Sequence, residues 1–308
     1  MSNVQLFNSK TVKEKALELG AAQVGIADIS CFEGTDARYD PKGILPWAKC
    51  VIVALFRVPR ALYRAMEQHR NTYLYTNLGV RSIDEDLSEI FLLRMARIIE
   101  DHGFDACVQR NVTNLRPKGD TETNPEALAT YALDHAVPVA PGKVAPDIMI
   151  DFPQAAVYAG LGSKSLRGGL ISRKLGPFLR IVCIITDAPL DADTPFEDEL
   201  CDRCGHCVNA CPGKALSLEG GLDSWQCAVY YRGAHKSNPL IPFDFLVDEP
   251  EREAILNGDK RFDASSARAL FPQLDFLPGH AIKYAPCLCG RACDVACWNH
   301  LKEVGVIK

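Results

Sequence analysis

The sequence lacks any long hydrophobic run. Its most apolar stretches, CVIVALF and RIVCIITDAPL, are too short to cross a bilayer, for which a helix needs about 20 apolar residues. The first twenty residues also lack the apolar core of a signal peptide. We therefore expect a cytoplasmic protein that has no contact with a membrane.

A basic surplus is missing as well. The 308-residue chain has 34 Lys and Arg against 39 Asp and Glu, which gives a net charge of −5. Proteins that bind nucleic acids normally present a basic face to the phosphates, so this balance argues against tRNA as a partner. The charge is uneven along the chain, since residues 152–186 include five basic side chains and no acid, whereas residues 187–202 include seven acids and no base.

Cysteine is scarce in the first 200 residues and dense after them. Only four of the 13 cysteines come before residue 200, and the other nine lie between Cys201 and Cys297. A secreted disulfide scaffold is usually a short chain with its cysteines spread along it. The distribution here instead favours metal binding in a reducing compartment.

Helical and extended patterns alternate through the first part of the chain. Continuous β-branched runs predict buried strands in PWAKCVIVALF and FLRIVCIITDAPL. SIDEDLSEIFLLRMARIIEDHGF predicts a long amphipathic helix with a capping-box start, and NPEALATYALDHA predicts another helix. We expect a layered α/β domain over residues 1–195, an acidic linker near residue 195, and a cysteine-rich domain over residues 196–308.

A ferredoxin-type motif opens the cysteine-rich part. The run CDRCGHCVNACP has the spacing C-x2-C-x2-C-x3-C-P, which is the pattern of bacterial proteins that bind [4Fe–4S] clusters. A structural zinc site would need two separated pairs of ligands, and this run is too dense for that. We expect one cluster to take the first three cysteines, and a second cluster to take Cys211. The first three are Cys201, Cys204 and Cys207.

Two clusters of this type need eight thiolates, and the chain offers nine. By the crossover seen in two-cluster ferredoxins, Cys297 completes the first cluster, while Cys211 and Cys293 belong to the second. Two more ligands of the second cluster come from a set of three, which are Cys227, Cys287 and Cys289. One thiol of this set is spare. His206 and His300 lie within the motifs and are expected to form hydrogen bonds rather than to ligate.

The order of these parts resembles that of the epoxyqueuosine reductase and reductive dehalogenase superfamily over most of the chain. LELGAAQVGIADI and PWAKCVIVAL resemble its opening helix and strands, and CDRCGHCVNACPGKAL followed by SWQCAVYY resembles its cluster region. The resemblance implies a nitroreductase-like α/β (α+β) domain followed by a ferredoxin-like domain with two clusters. It also implies that the isolated Cys227 is a ligand, and we favour Cys289 over Cys287 because Cys289 is nearer to Cys293.

The last cysteine motif departs from the family pattern. The family has C-x2-C-x3-C-P, whereas here the first gap is three residues and Trp298 stands in place of the proline. The chain ends eleven residues after Cys297, so we expect a short member without the C-terminal helical-repeat extension.

The resemblance further implies cobalamin in the first domain, reduced by the clusters. The stretch AGLGSKSLRGGL has glycines that would let the backbone approach a bulky ligand, and basic side chains for the phosphate of a nucleotide tail. The expected contacts are Gly160, Gly162, Lys164, Arg167, Gly168 and Gly169. An ordinary glycine-rich loop is the alternative, and flavin is the alternative cofactor.

Reductive chemistry also needs a proton donor. A carboxyl or phenol in an apolar pocket holds its proton more strongly, as a general acid requires. Asp151 and Tyr158 are the first candidates, and Tyr73 and Tyr75 come next. A packing role is the alternative for each of them.

These observations predict an anaerobic oxidoreductase that reduces a small organic substrate with two [4Fe–4S] clusters and cobalamin. Its electrons would come from an external ferredoxin or flavodoxin. The alternative is a dicluster electron carrier that donates to a partner enzyme, such as a corrinoid protein, and has no substrate of its own. The acidic linker would then be a docking surface.

Overall fold

A computed structural model describes residues 7–67, 75–111, 115–116, 118–119, 128–134, 136–138, 140–141, 148–274 and 288–307. The strands are β1 (Gln23–Asp28), β2 (Cys50–Arg57), β3 (Ala106–Arg110), β4 (Leu115–Arg116), β5 (Leu133–Asp134), β6 (Ser163–Lys164), β7 (Leu170–Ile171), β8 (Leu179–Thr186), β9 (Leu216–Ser217) and β10 (Gly221–Leu222).

The helices lie before, between and after these strands. The α-helices are α1 (Ser9–Glu18), α2 (Pro41–Ile44), α3 (Arg60–Glu67), α4 (Ser88–Glu100), α5 (Phe152–Tyr158), α6 (His206–Ala210), α7 (Ser224–Tyr231), α8 (Arg252–Leu256), α9 (Ala264–Leu270) and α10 (Ala292–Glu303). Short 3₁₀ turns cover Ile29–Phe32 and Phe271–Leu274, and a π-helical stretch covers Tyr75–Leu87. In the described part of the chain, no helix is long and apolar enough to span a membrane.

The main sheet has four antiparallel strands in the order β1-β2-β8-β3. β2 pairs with β8 along its whole length, from Cys50 opposite Thr186 to Arg57 opposite Leu179. Three two-stranded pairs lie outside this sheet: β4 with β5, β6 with β7, and β9 with β10. The hairpin of β6 and β7 precedes β8 and contains the glycine-rich stretch.

Both faces of the sheet are buried. Because successive side chains of a strand point to opposite faces, Ile52 and Phe56 of β2 pack with α1 and α4, whereas Val53 and Leu55 pack with α5. A Cβ on Gly25 of β1 would lie 2.1 Å from the backbone oxygen of Ala159, so this glycine lets α5 approach the strand closely. The result is a layered, mixed α/β architecture, as the alternation of elements predicted.

Two sequence predictions in this region were wrong. The helix expected over residues 124–136 is absent from its described part, where Leu133–Asp134 form β5 instead. The long amphipathic helix was correctly predicted, but it has no capping box: α4 continues directly from the π-helical stretch, and Leu87 at its start makes no side-chain cap. The likeness of this domain to nitroreductases stays a prediction.

The last helix returns from the cysteine-rich part to the first domain. Trp298 of α10 packs against Tyr63 and Phe178, with ring centroids 5.1 and 6.0 Å away. Tyr63 and Phe178 are themselves stacked at 3.9 Å. A Cβ on Gly176 would lie 2.6 Å from the indole, so a glycine at this position makes room for Trp298. The residue that replaces the family's proline therefore fixes α10 against the first domain.

Candidate metal centre

The first group of cysteines comes from the loop before α6, from α6 itself and from α10. The thiols of Cys201, Cys207 and Cys297 interact electrostatically, and Cys204 interacts with Cys207. All four line one cavity, together with Arg167 of the glycine-rich hairpin. Two left-handed residues, Arg203 (φ 56°) and Gly205 (φ 79°), fold the loop around this cavity. The structure thus brings together the four residues predicted for the first cluster.

Two histidines border this first group. His300 Nε2 lies 2.6 Å from Asp202 Oδ2, and the rings of His206 and His300 stack with centroids 4.8 Å apart. Asp202 also accepts a hydrogen bond from the backbone N–H of Cys204 at 3.2 Å. The expected hydrogen-bonding role is confirmed for His300, whereas His206 stacks on it.

The second group joins four separate parts of the chain. Cys227 interacts electrostatically with Cys211 and Cys289, and Cys293 interacts with Cys289. Cys287, the predicted spare thiol, lies outside the described residues. The four residues predicted for the second cluster are therefore also neighbours in space.

A buried amide holds the second group in place. Gln226 is fully buried; its Nε2 donates to the backbone oxygens of Gly213 at 2.7 Å and Lys260 at 3.0 Å. Its Oε1 accepts from the backbone N–H of Phe262 at 2.9 Å. Because Gly213 follows the Cys211–Pro212 pair and Gln226 precedes Cys227, this side chain fixes the two ligands relative to each other. Sequence reasoning missed Gln226.

Burial keeps most of these thiols protonated when no metal is bound. It raises the pKa of Cys227 and of Cys297 to about 12, and it raises the pKa of Cys293 well above its usual range. Iron supplies the positive charge that thiolates need at such positions, and its binding releases the protons. Two sets of four thiols match the Cys₄ ligation of [4Fe–4S] clusters, so these residues fit the predicted groups.

Arg167 lies with the cysteines rather than at an open phosphate site. Its Nε lies 2.5 Å from Oδ1 of Asp294, a fully buried carboxylate that Arg291 also contacts. Asp294 was not singled out in the sequence, although an acid directly after Cys293 in a cysteine motif is a signal that could have identified it. A phosphate-binding role of Arg167 would require this ion pair to open.

The other residues predicted to act at the first domain's site have structural contacts. Lys164 pairs with Asp151 at 2.9 Å, so the predicted phosphate ligand and the predicted acid neutralise each other. Asp151 also caps α5 by accepting from the N–H of Gln154 at 3.0 Å. Tyr158 packs edge-on against Phe32 with ring centroids 5.1 Å apart. The catalytic roles of Asp151 and Tyr158 stay predictions.

The sequence also offered two other tyrosines as proton donors. Tyr73 lies outside the described residues, and Tyr75 is buried in the core.

The glycines of the hairpin are explained by the chain itself. A Cβ on Gly162 (φ +157°) would lie 2.0 Å from the oxygen of Ile171, and one on Gly160 (φ +73°) would lie 2.7 Å from the oxygen of Thr194. One on Gly169 would meet the Arg167 guanidinium, while Gly168 (φ +82°) borders open space. The cobalamin contacts predicted for these glycines, Lys164 and Arg167 stay predictions.

Comparisons with known proteins agree with the cysteine chemistry. A family model described as a 4Fe-4S binding domain matches residues 194–217. The epoxyqueuosine reductase of Aliivibrio fischeri is 30% identical over 253 residues, which are 77% of this chain and 61% of that protein. The tetrachloroethene reductive dehalogenase of Sulfurospirillum multivorans is 38% identical over 65 residues, which are 20% of this chain and 13% of that protein.

This chain is a sequence relative of the epoxyqueuosine reductases and reductive dehalogenases. The superfamily suspected from the motifs is thereby confirmed. The chain spans less than two-thirds of the length of these curated relatives. A solved epoxyqueuosine reductase in complex with an epoxyqueuosine-modified tRNA stem loop matches 96% of this chain and 82% of that chain, with 14% identity and a TM-score of 0.47. That likeness is too distant to carry an argument about function.

Proposed function

We propose that this chain is an oxidoreductase that holds two [4Fe–4S] clusters. The observation that supports this most strongly is the division of eight described cysteines into two sets of four neighbouring thiols. The first cluster takes Cys201, Cys204, Cys207 and Cys297, and the second takes Cys211, Cys227, Cys289 and Cys293. Electrons enter from an external ferredoxin or flavodoxin and leave to an organic substrate.

Iron analysis of anaerobically prepared protein tests the cluster count. Two clusters require about eight irons per chain, and Cys227→Ser should reduce that number to about four. Cys183→Ser is the matched control, because this buried cysteine lies in β8, away from both groups. Cys287→Ser should also leave both clusters intact. A wild-type value near four would refute the two-cluster proposal.

Reduction of a small organic substrate is the reaction that the relatives support best. One of them is named for epoxyqueuosine and the other for tetrachloroethene, and both names describe reductive enzymes. The cysteine-rich part supplies the electrons for such a reaction, and the substrate would bind on the first domain.

The proposal also includes cobalamin as a cofactor of the first domain. What supports it is sequence kinship with the epoxyqueuosine reductases and reductive dehalogenases, a superfamily whose resemblance implies cobalamin in the first domain. Lys164 and Arg167 are both engaged in ion pairs, so a phosphate could bind them only if these pairs opened. Anaerobic, reconstituted protein should therefore be mixed with hydroxocobalamin and passed over a desalting column. Cobalamin that elutes apart from the protein with an unchanged spectrum would remove it from the proposal.

An electron carrier is the second candidate, and the exposure of the first cysteine group favours it. Cys204 is exposed, and Cys201 borders an open cleft lined by Glu197, Glu199 and Glu219. A partner protein with a basic face could approach the first cluster there. Absence of an organic cofactor, together with fast reduction of an added corrinoid enzyme, would favour the carrier over the reductase.

The substrate could also be carried on tRNA, which the sequence argued against. The net charge argued that tRNA is not a partner, and this argument is weakened because one relative is an epoxyqueuosine reductase. A mobility-shift titration with an epoxyqueuosine-modified tRNA stem loop at low and moderate salt would decide the point. Binding that persists at moderate salt and is absent for an unmodified stem loop would identify a tRNA substrate.

A further inference from the structure

Arg167 is a cation enclosed between the two groups of cysteines. Its side chain is only 15% exposed, and it lines the cavity of the first group. Its charge acts on thiols of both groups, which are Cys207, Cys297, Cys227 and Cys293. No other basic residue of the first domain lines this cavity in the part of the chain that the structure describes.

The conformation of the glycine-rich hairpin directs the Arg167 side chain toward the cysteines. The turn between β6 and β7 is closed by hydrogen bonds from Ser165 N–H to the oxygen of Gly169 and from Gly168 N–H to the oxygen of Ser165, both 2.8 Å. A Cβ at position 169 would lie 2.7–2.8 Å from the guanidinium. Any side chain at position 169 would therefore displace the guanidinium from its present position. The glycine thus leaves room for the Arg167 side chain.

Arg167 belongs to a buried triad with a net positive charge. Arg167 and Arg291 both contact the carboxylate of Asp294, which has no exposed surface. Two cations and one anion leave one positive charge beside the ligands. In a poorly solvated environment, such a charge stabilises an electron added to a nearby cluster, since net charge and surrounding polar groups set cluster potentials.

We infer that Arg167 is a positioning residue that raises the reduction potentials of both clusters and links the first domain to the electron-transfer site. This inference rests on the proposed two-cluster function. The exposed Arg173 of the same segment has no such role, because it pairs at 2.7 Å with the exposed Asp198. Arg167 and Arg173 therefore form a matched pair for an experiment.

The test is a redox titration of anaerobic, reconstituted full-length protein, followed by paramagnetic resonance and accompanied by iron analysis. Arg167→Gln should lower the equilibrium constant for reduction of each cluster on the order of tenfold, which is about 59 mV for one electron. Arg167→Lys, which keeps the charge, should stay near the wild type, and Arg173→Gln should change nothing. Asp294→Asn removes a negative charge at the same place and should shift both potentials upward.

Unchanged potentials in Arg167→Gln with iron fully retained would overturn the inference. If that variant loses iron, Asp294→Asn decides the matter, and the absence of an upward shift would overturn the inference as well. A purely structural role of the ion pair predicts loss of iron without any shift in the clusters that remain. Failure of the two-cluster proposal is recognised separately, because it shows as a low iron content in the wild type.

Discussion

The sheet region and the surroundings of the first cysteine group differ in what holds them together. Two clusters of apolar side chains cover the faces of the sheet, and each extends over several helices and strands. Beside the first cysteine group, the apolar cluster has only four buried members, which are Ile171, Leu200, Leu301 and Ile307. The rest of the cysteine-rich region has a larger apolar cluster between residues 225 and 274, so the small core is confined to the surroundings of the first cysteine group.

This difference teaches that the two regions obtain their stability from different sources. Burial of apolar surface is enough for the sheet, because its two central strands, β2 and β8, bury nearly every side chain. A region with a small apolar core usually needs a metal or a covalent staple to fold. We therefore expect the surroundings of the first cysteine group to need bound iron for their fold, whereas residues 225–274 have an apolar core of their own.

Removal of iron should produce the largest difference between the two regions. Anaerobic treatment with a chelator should expose residues 201–211 to proteases, because metal binding and folding are coupled there. The sheet should remain protected, and mass spectrometry of the proteolytic fragments measures both regions in one sample. Iron-loaded protein treated in parallel is the control. Equal protection of residues 201–211 with and without iron would contradict the dependence.

The second largest expected effect is the loss of stability when a core side chain of the sheet region is truncated. Phe91 of α4 is 1% exposed and packs edge-on against Phe56 with ring centroids 5.1 Å apart. Phe91→Ala should cost about 3–5 kcal/mol of unfolding free energy because it leaves a cavity. Leu93 on the same helix is 67% exposed, so Leu93→Ala should change stability by less than about 0.5 kcal/mol. Chemical denaturation followed by circular dichroism measures both, and similar losses would count against the proposed core.

Loss of the Gln226 amide should affect the cysteine-rich region instead. Gln226→Met keeps the volume but leaves the backbone oxygens of Gly213 and Lys260 and the N–H of Phe262 without a partner. The expected cost is about 1–3 kcal/mol for such buried groups. Iron content should also fall, whereas Phe91→Ala should retain its iron. The exposed Gln273→Met is the control, and full iron retention in Gln226→Met would show that this amide does not hold the ligands.

The smallest expected effect concerns Asp151, whose structural and catalytic roles can be separated. Asp151→Ala should cost about 1 kcal/mol, because it removes the cap of α5, whereas Asp151→Asn should retain the cap. Thermal unfolding of both variants measures this difference. If Asp151 also donates a proton, Asp151→Asn should lose turnover at unchanged stability. Normal turnover in this variant would assign the residue to capping alone.

Local sequence patterns were sufficient to predict the elements of the sheet, but not their arrangement. The continuous apolar runs of β2 and β8 predicted two buried strands. That β8 inserts between β2 and β3 depends on contacts between residues more than 70 positions apart, and no local pattern reports such contacts. Leu133–Asp134 form a strand within a helical pattern for the same reason, since tertiary pairing outweighs propensity.

The candidate site shows a similar division. The spacing of the cysteines predicted the first set and two members of the second, and the family resemblance implied Cys227. The choice of Cys289 over Cys287 stays a prediction, because Cys287 lies outside the described residues. The partner of Arg167 could not be predicted, because Asp294 lies in a distant helix and only the fold brings the two together. A basic residue in a glycine-rich loop is typical of phosphate binding. Arg167 instead forms an ion pair with the buried carboxylate of Asp294.

Both groups of thiols combine ligands from residues 201–227 with ligands from residues 289–297. During synthesis, a ribosome that has released only the first of these segments has therefore produced neither cluster site in complete form. Trp298 then seats α10 against Tyr63 and Phe178, so docking of the last helix and closure of both sites are one event. On the proposed assignment, a product truncated before residue 289 would therefore lack ligands for both clusters.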